Sequence, residues 1–302
     1  MQAHYIPEHK FPFELSPGIM VLGNYFFNLF LIRGAKKNAL FEVGISATVD
    51  VVIRKLEGLG IRPDYLICSH PHSDHITGLP GLTEHYPEAR LIAAKGAGEF
   101  IRHPKAGPLL FKDDAFMSNR LADFGITPGR PPLAKVPDLG SADLVHDRLS
   151  LDLGGRCLDL VRVDGHSPGN LIAMLPDQKI LFSSDSLGFH FPGRGFLPLF
   201  FTGTSSYLSV LMDIQSFSPS IVCPAHQGPL KGAAAAAGVQ ESLDTTIQFI
   251  NDIQNSDHSD EIMADRIFKA HYKDEFTLYT MENIKNCAAL LVKRAKEAPS
   301  GI

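Results

Sequence analysis

The segment Ser69-His70-Pro71-His72-Ser73-Asp74-His75 places three imidazoles and a carboxylate within six residues, directly after the apolar run Tyr65 to Cys68. In extended geometry residues two apart point the same way, so His70 and His72 can address one point, and Pro71 keeps His70 out of helical conformation. Asp74 and His75 fall where the chain turns into the next element, beside that first point. Neutral imidazole and carboxylate suit Zn(II), Fe(II) or Mn(II), so two adjacent divalent ions are chemically reasonable here. Four ligands from one loop cannot close two coordination spheres. Three further candidates each follow a short apolar run: His166 in the Gly-flanked turn Val163-Asp164-Gly165-His166-Ser167-Pro168-Gly169-Asn170, Asp185 after Leu181-Phe182-Ser183-Ser184, and His226 after Ile221-Val222-Cys223-Pro224-Ala225. The two oxygens of a carboxylate let Asp185 reach two ions at once.

These ligands need a sheet scaffold to bring them together. Short β-rich runs open the chain at Gly18 to Leu22, Phe27 to Ile32 and Ala39 to Val43. From Thr48 to Leu59 the residues Val51, Ile53, Leu56 and Leu59 approximate helical spacing, and Gly58, Gly60 and Pro63 close the pattern. A helix is expected from His75 through Tyr86, then a strand at Arg90 to Ala93. Residues 96 to about 140 form an insertion, partly helical on the spacing of Met117, Leu121 and Phe124, with Thr127 to Pro137 returning extended. Strands resume at Leu149 to Leu153, Arg156 to Val163, Leu171 to Leu175, Ile180 to Ser183 and Ile221 to Cys223. A helix at Ser205 to Phe217 lies before the last of these, with Thr204 or Ser205 as its N-cap. From Ala233 the periodicity is helical to the end, a C-terminal extension over 233–302. Two strand groups, each followed by helices, predict an α/β fold, a four-layer αββα sandwich of two mixed sheets in a single domain over 1–302.

Composition narrows the partners. The chain of 302 residues is 44% hydrophobic and carries 28 basic against 33 acidic residues, a net charge of −5. That mass of apolar residues argues against disorder, and the charge gives no electrostatic reason to bind nucleic acid. No run of about 18 uncharged apolar residues suggests a membrane span. Cys68, Cys157, Cys223 and Cys287 are widely spaced with no C-x-x-C pair, and Met1 to Pro17 lacks the apolar core of a signal peptide, so a cytoplasmic protein is expected. A small-molecule substrate is the expected partner, and homo-oligomerisation is left open.

The ordered set H-x-H-x-D-H, G-H-x-x-G, an S-D turn and a P-x-H-x-G turn resembles the metallo-β-lactamase superfamily over roughly residues 18–230. The resemblance implies that His70, His72 and His166 hold one metal and Asp74, His75 and His226 a second, with Asp185 bridging. It also implies the αββα fold. The insertion, Ser184-Asp185-Ser186-Leu187-Gly188 and Pro224 to Leu230 followed by helices are similar to the quinolone-signal response thioesterase and its relatives. Ser184 stands where the superfamily usually has Gly, Ala225 where Gly is frequent and Asn170 where His is frequent, yet no ligand is lost.

Such a site implies hydrolysis. A water held by two divalent cations becomes hydroxide near neutral pH while the cations polarise the substrate, with Asp74 as the catalytic carboxylate that orients it. A thioester or ester is the preferred substrate. The rivals are an iron-dependent oxidoreductase such as a sulfur dioxygenase, a phosphodiesterase or lactonase, and a metal-containing regulatory protein acting through a partner. A flavodiiron reductase would need an attached flavin module, for which this length leaves no room. The bland reading of the histidine cluster, a polar turn or a remnant site, does not account for all seven ligand positions being filled. Candidate substrate contacts are His190, Phe189, Phe191, Phe196 and Tyr207. The Phe-rich loop, which also holds Phe200 and Phe201, could equally pack against the C-terminal helices or a second subunit. Tyr272 and Tyr279 are pocket candidates without a motif. His4, His9, His85, His103, His146, His258 and His271 have no ligand-type company and read as surface or capping residues.

Overall fold

The computed structural model describes residues 5–299. The first half of the chain forms β1 (Phe13–Ser16), β2 (Ile19–Gly23), β3 (Asn28–Arg33), β4 (Asn38–Phe41), α1 (Val49–Gly58), β5 (Tyr65–Ile67), α2 (Ser73–Ile76), α3 (Leu79–His85), β6 (Arg90–Ala94), α4 (Ala97–Arg102), α5 (Ala106–Arg120) and β7 (Asp143–Val145). Its seven strands lie in sequence order in one sheet, antiparallel from β1 to β4 and parallel from β4 to β7.

The second half supplies β8 (Arg148–Asp152), β9 (Cys157–Val163), β10 (Asn170–Leu175), β11 (Ile180–Phe182), the ribbon β12 (Phe189–Phe191) and β13 (Gly195–Leu197), α6 (Thr204–Phe217), β14 (Ile221–Cys223), β15 (Leu230–Lys231), α7 (Ala233–Gln254), α8 (Asp260–His271) and α9 (Met281–Lys296). The second sheet runs β15-β14-β11-β10-β9-β8 and is also mixed, with β11 and β14 parallel.

Strand alternation divides the core. On β3, Phe30 and Ile32 face the other sheet while Leu29 and Leu31 face helices, and on β11 Phe182 faces inward while Leu181 faces outward. Phe182 meets Phe30 and Phe41 at ring separations of 5.3 and 5.7 Å in the middle of this sandwich. The arrangement is the expected αββα one. Among the described residues no helix is long and apolar enough to cross a membrane.

Several local expectations shift. The buried stripe of α1 is Val49, Val52, Ile53 and Leu56, while Leu59 is exposed, because the helix face is set by the sheet it covers. Helix α6 follows Gly203 and has no side-chain cap from Thr204 or Ser205. The insertion contains α4 and α5, and the chain from Thr127 to Pro137 forms no regular element. Strand β7 escapes the sequence pattern because Asp143 and Leu144 are both exposed. In the C-terminal extension α9 buries Ile284, Ala288, Leu291, Val292 and Ala295, whereas Ile267 alone is fully buried on α8.

Two backbone bonds tie the sheets together beside the ligand loops. The amide of Leu171 donates to the carbonyl of Ser69, and that of Asn28 to the carbonyl of Ala225, both at 2.7 Å.

Candidate metal centre

Parallel β5 and β6, and parallel β11 and β14, send their C-terminal ends to one edge of the sandwich, where the ligand loops meet. His70 Nε2 lies 3.0 Å from His72 Nδ1 and 3.2 Å from His166 Nε2. Asp74, His75, Asp185 and His226 form a second group: His75 Nε2 is 3.4 Å from Asp74 Oδ2 and 3.3 Å from Asp185 Oδ2, and His226 Nε2 is 3.5 Å from Asp74 Oδ2 and 3.4 Å from Asp185 Oδ1. Asp185 Oδ2 also reaches the first group, 3.7 Å from His166 Nε2 and 3.9 Å from His70 Nε2. The structure therefore brings together all seven ligand-type residues singled out in the sequence, in two groups that share one carboxylate.

Outer contacts aim these rings. Nδ1 of His166 meets the Leu199 carbonyl at 2.9 Å, Nδ1 of His226 the Phe26 carbonyl at 2.6 Å, and Nδ1 of His75 the Glu42 carboxylate at 3.1 Å. Anchoring one ring nitrogen fixes the direction of the other, as metal-binding histidines require. Nε2 of His75 and of His226 are then buried with no hydrogen-bond partner, facing carboxylates. This donor set fits divalent cations: three imidazole nitrogens converge on one point, and buried nitrogens and carboxylate oxygens on another.

Electrostatics agree. Burial, with the neighbouring histidines, holds His70 well below its usual value and His72 at about 3, so both are neutral donors; burial also lowers His166. In the second group burial opposes charge but loses: Asp74, Asp185 and Glu42 raise His75, and Asp185 raises His226. The carboxyls of Asp74 and Asp185 are held low against burial, above all by His75. The carboxylates that raise these imidazoles would equally attract a divalent cation between them.

Local backbone serves the same end. A Cβ on Gly165, at φ +105°, would meet the Tyr207 backbone at 2.5 Å, so the turn carrying His166 can press against α6 only with Gly there. Ser184 adopts φ +47°, the left-handed region that explains the usual Gly, and its hydroxyl donates to Ser69 Oγ at 3.1 Å. Ser69 in turn donates to Glu42 Oε2 at 2.8 Å.

Above the ligands opens a cavity of about 510 Å³. His72, Asp74, His166 and Asp185 reach its base. Ala106, Leu109 and Leu110 of α5 form one wall, and Ile284, Cys287 and Leu290 of α9 with Phe276 form another. Lys112 and Glu282 pair across the two helices, and Asp113 accepts from Asn283 Nδ2 at 3.2 Å. Phe189 and Phe201 line the cavity, and Phe189 stacks on His226 at 5.1 Å. The other proposed contacts lie elsewhere: His190 packs on Phe196 in the ribbon, Phe191 rests against Phe276, and Tyr207 is buried beneath the Gly165 turn. Tyr279 lines the cavity and donates from its hydroxyl to Asp74 Oδ2 at 2.9 Å. Burial, then the charges of Asp74 and Asp185, hold that phenol protonated.

Of the histidines set aside, His9, His85, His103, His146 and His258 are exposed, His271 is half-buried with Nδ1 on the Ile267 carbonyl, and His4 lies outside the described residues. Sequence reasoning missed Glu42, although it directly follows the strand Asn38–Phe41, as Asp185 follows β11 after two serines.

The family model described as the metallo-beta-lactamase superfamily matches residues 23–226. An acyl-coenzyme A thioesterase, MBLAC2, of Gallus gallus is 26% identical over 52% of this chain and 56% of its own. A coenzyme F420H(2) oxidase of Methanothermobacter marburgensis is 27% identical over 54% of this chain and 35% of its own. The chain thus spans about half or less of these curated relatives. Among solved structures, a beta-lactamase domain protein of Burkholderia ambifaria superposes with a TM-score of 0.67 at 18% identity, covering 96% of this chain and 90% of that one.

Proposed function

Since this chain belongs to the metallo-β-lactamase superfamily, we propose that it is a two-metal hydrolase of a small thioester or ester. The observation that carries this reading is the largely apolar cavity of about 510 Å³ set over two ligand groups, with Asp185 of the second 3.7 Å from His166 of the first. Two divalent ions, Zn(II), Fe(II) or Mn(II), supply Lewis acidity toward a carbonyl and lower the pKa of a water when bound. His70, His72 and His166 would hold one, Asp74, His75 and His226 the other, with Asp185 placed to serve both. Asp74, at the cavity base, would orient the attacking water. The walls of α5 and α9 receive the acyl portion, excluding water from it. Because each sheet contributes ligands, both halves act as one domain. Similarity to an acyl-coenzyme A thioesterase supports the substrate class.

Protein loaded separately with each metal is to be offered acyl thioesters of graded chain length, with esters, lactones and phosphodiesters in parallel. Metal-dependent release of free thiol is expected. A metal-loaded protein inert toward all thioesters and esters overturns the reading. The likeness to an oxidase supports a second one, an iron-dependent oxidoreductase, and oxygen uptake by the iron form in the absence of ester cleavage selects it.

A further inference from the structure

Different segments around the cavity approach the two ligand groups. His72, in the first group, has Phe100 of α4 as a ring neighbour at 6.0 Å. The segment before α9 touches the second group once directly and once through Phe189. The Tyr279 hydroxyl donates to Asp74 Oδ2, and Phe276 packs at 4.4 Å on Phe189, which stacks on His226. Oδ2 is also the Asp74 oxygen that faces His75 and His226. A carboxylate oxygen has two lone-pair sites, so one can serve the phenol while the other is turned toward an ion. Tyr279 is itself anchored, its carbonyl accepting from the Tyr272 hydroxyl at 3.2 Å.

We propose that Tyr279 is a positioning residue for the ion held by Asp74, His75 and His226, and that it couples the seating of the C-terminal helices to retention of that ion. This rests on the reading that the site holds two ions. The coupling is reciprocal by linkage: a segment that stabilises the bound ion is stabilised by it.

Tyr279→Phe keeps the ring and its packing and removes only the hydroxyl. Metal content is measured against graded chelator for both proteins, together with protease sensitivity of the C-terminal helices with and without metal. Wild type should retain two ions and gain protection on loading. The variant should release one ion at roughly 10- to 100-fold lower chelator strength, as loss of an outer partner does elsewhere, hold the other as wild type does, and lose most of the metal-induced protection. Equal retention of both ions by Tyr279→Phe, or unchanged protection, overturns the proposal. If wild type itself takes up no metal, the underlying two-ion reading fails instead. A circular-dichroism spectrum matching wild type confirms that the variant is folded.

Discussion

Oε2 of Glu42 lies 3.1 Å from Nδ1 of His75, and this one contact decides which nitrogen of His75 turns into the site. The same oxygen accepts from Ser69, next to His70, so a single carboxylate steadies the start and the end of the ligand loop. Glu42→Gln retains the shape but replaces one oxygen by an amide donor, which cannot accept from Nδ1–H. Metal affinity should fall by about 10- to 100-fold, measured by chelator competition, with little change in secondary structure. Unchanged affinity would remove Glu42 from the account.

Asp185 is the carboxylate within reach of both groups, 3.3 Å from His75 and 3.7 Å from His166. Asp185→Asn leaves one oxygen and no charge to serve two cations. The variant should bind about one ion per chain by elemental analysis and lose ester cleavage. Two tightly held ions in the variant would mean that Asp185 is not shared.

Asp113 carries a pH signature. Burial, then the Asp74 charge, raises its carboxyl from the ordinary 3.8 to about 6. A raised value means that the folded protein binds this proton more tightly than the unfolded chain. The contribution is complete below about pH 3.8 and is lost as pH rises through 6. Two pH units correspond to a ceiling of about 3 kcal/mol, and partial solvent access reduces that to about 1 kcal/mol. Metal-free Asp113→Asn should therefore be more stable than wild type by about 1 kcal/mol at pH 8, with the difference vanishing near pH 4, as read from urea midpoints. A difference independent of pH would contradict this assignment.

Leu290, on the α9 wall, tests what the cavity accepts. Leu290→Trp adds bulk away from the ligands and should lower kcat/KM for long acyl thioesters by roughly tenfold while short ones are cleaved as before. An equal loss for every chain length would place Leu290 outside the acyl path.

The candidate ligand loop is legible in the sequence because its residues lie close together: His70, His72, Asp74 and His75 form one signal. His166, Asp185 and His226 were legible as polar residues ending apolar runs, a pattern that strand ends at one sheet edge convert into convergence. Tyr279 gave no such signal, since its partner Asp74 is 205 residues away and only the packing of α9 joins them. The buried face of α1 departs from the sequence pattern for a related reason. Val51 and Leu59 are as apolar as Val49 and Val52, and only the sheet beneath selects the buried set. Phe189 and Phe191 share one face of the ribbon and Phe196, opposite His190, lies on the other; that Phe189 alone of the three lines the cavity depends on tertiary packing, which composition does not carry.

The walls of the cavity come from segments far apart in the chain, α5 and α9, joined over its mouth by the surface pair Lys112 and Glu282. Most of the donors beneath them are carried by loops that follow strands of the two sheets. The residues that shape the cavity and those that end the strands as donors thus come from largely different stretches of sequence, with Tyr279 joining the two. Substitutions along α5 and α9 can reshape the cavity without replacing a donor, whereas those that unseat Tyr279 reach the donors as well.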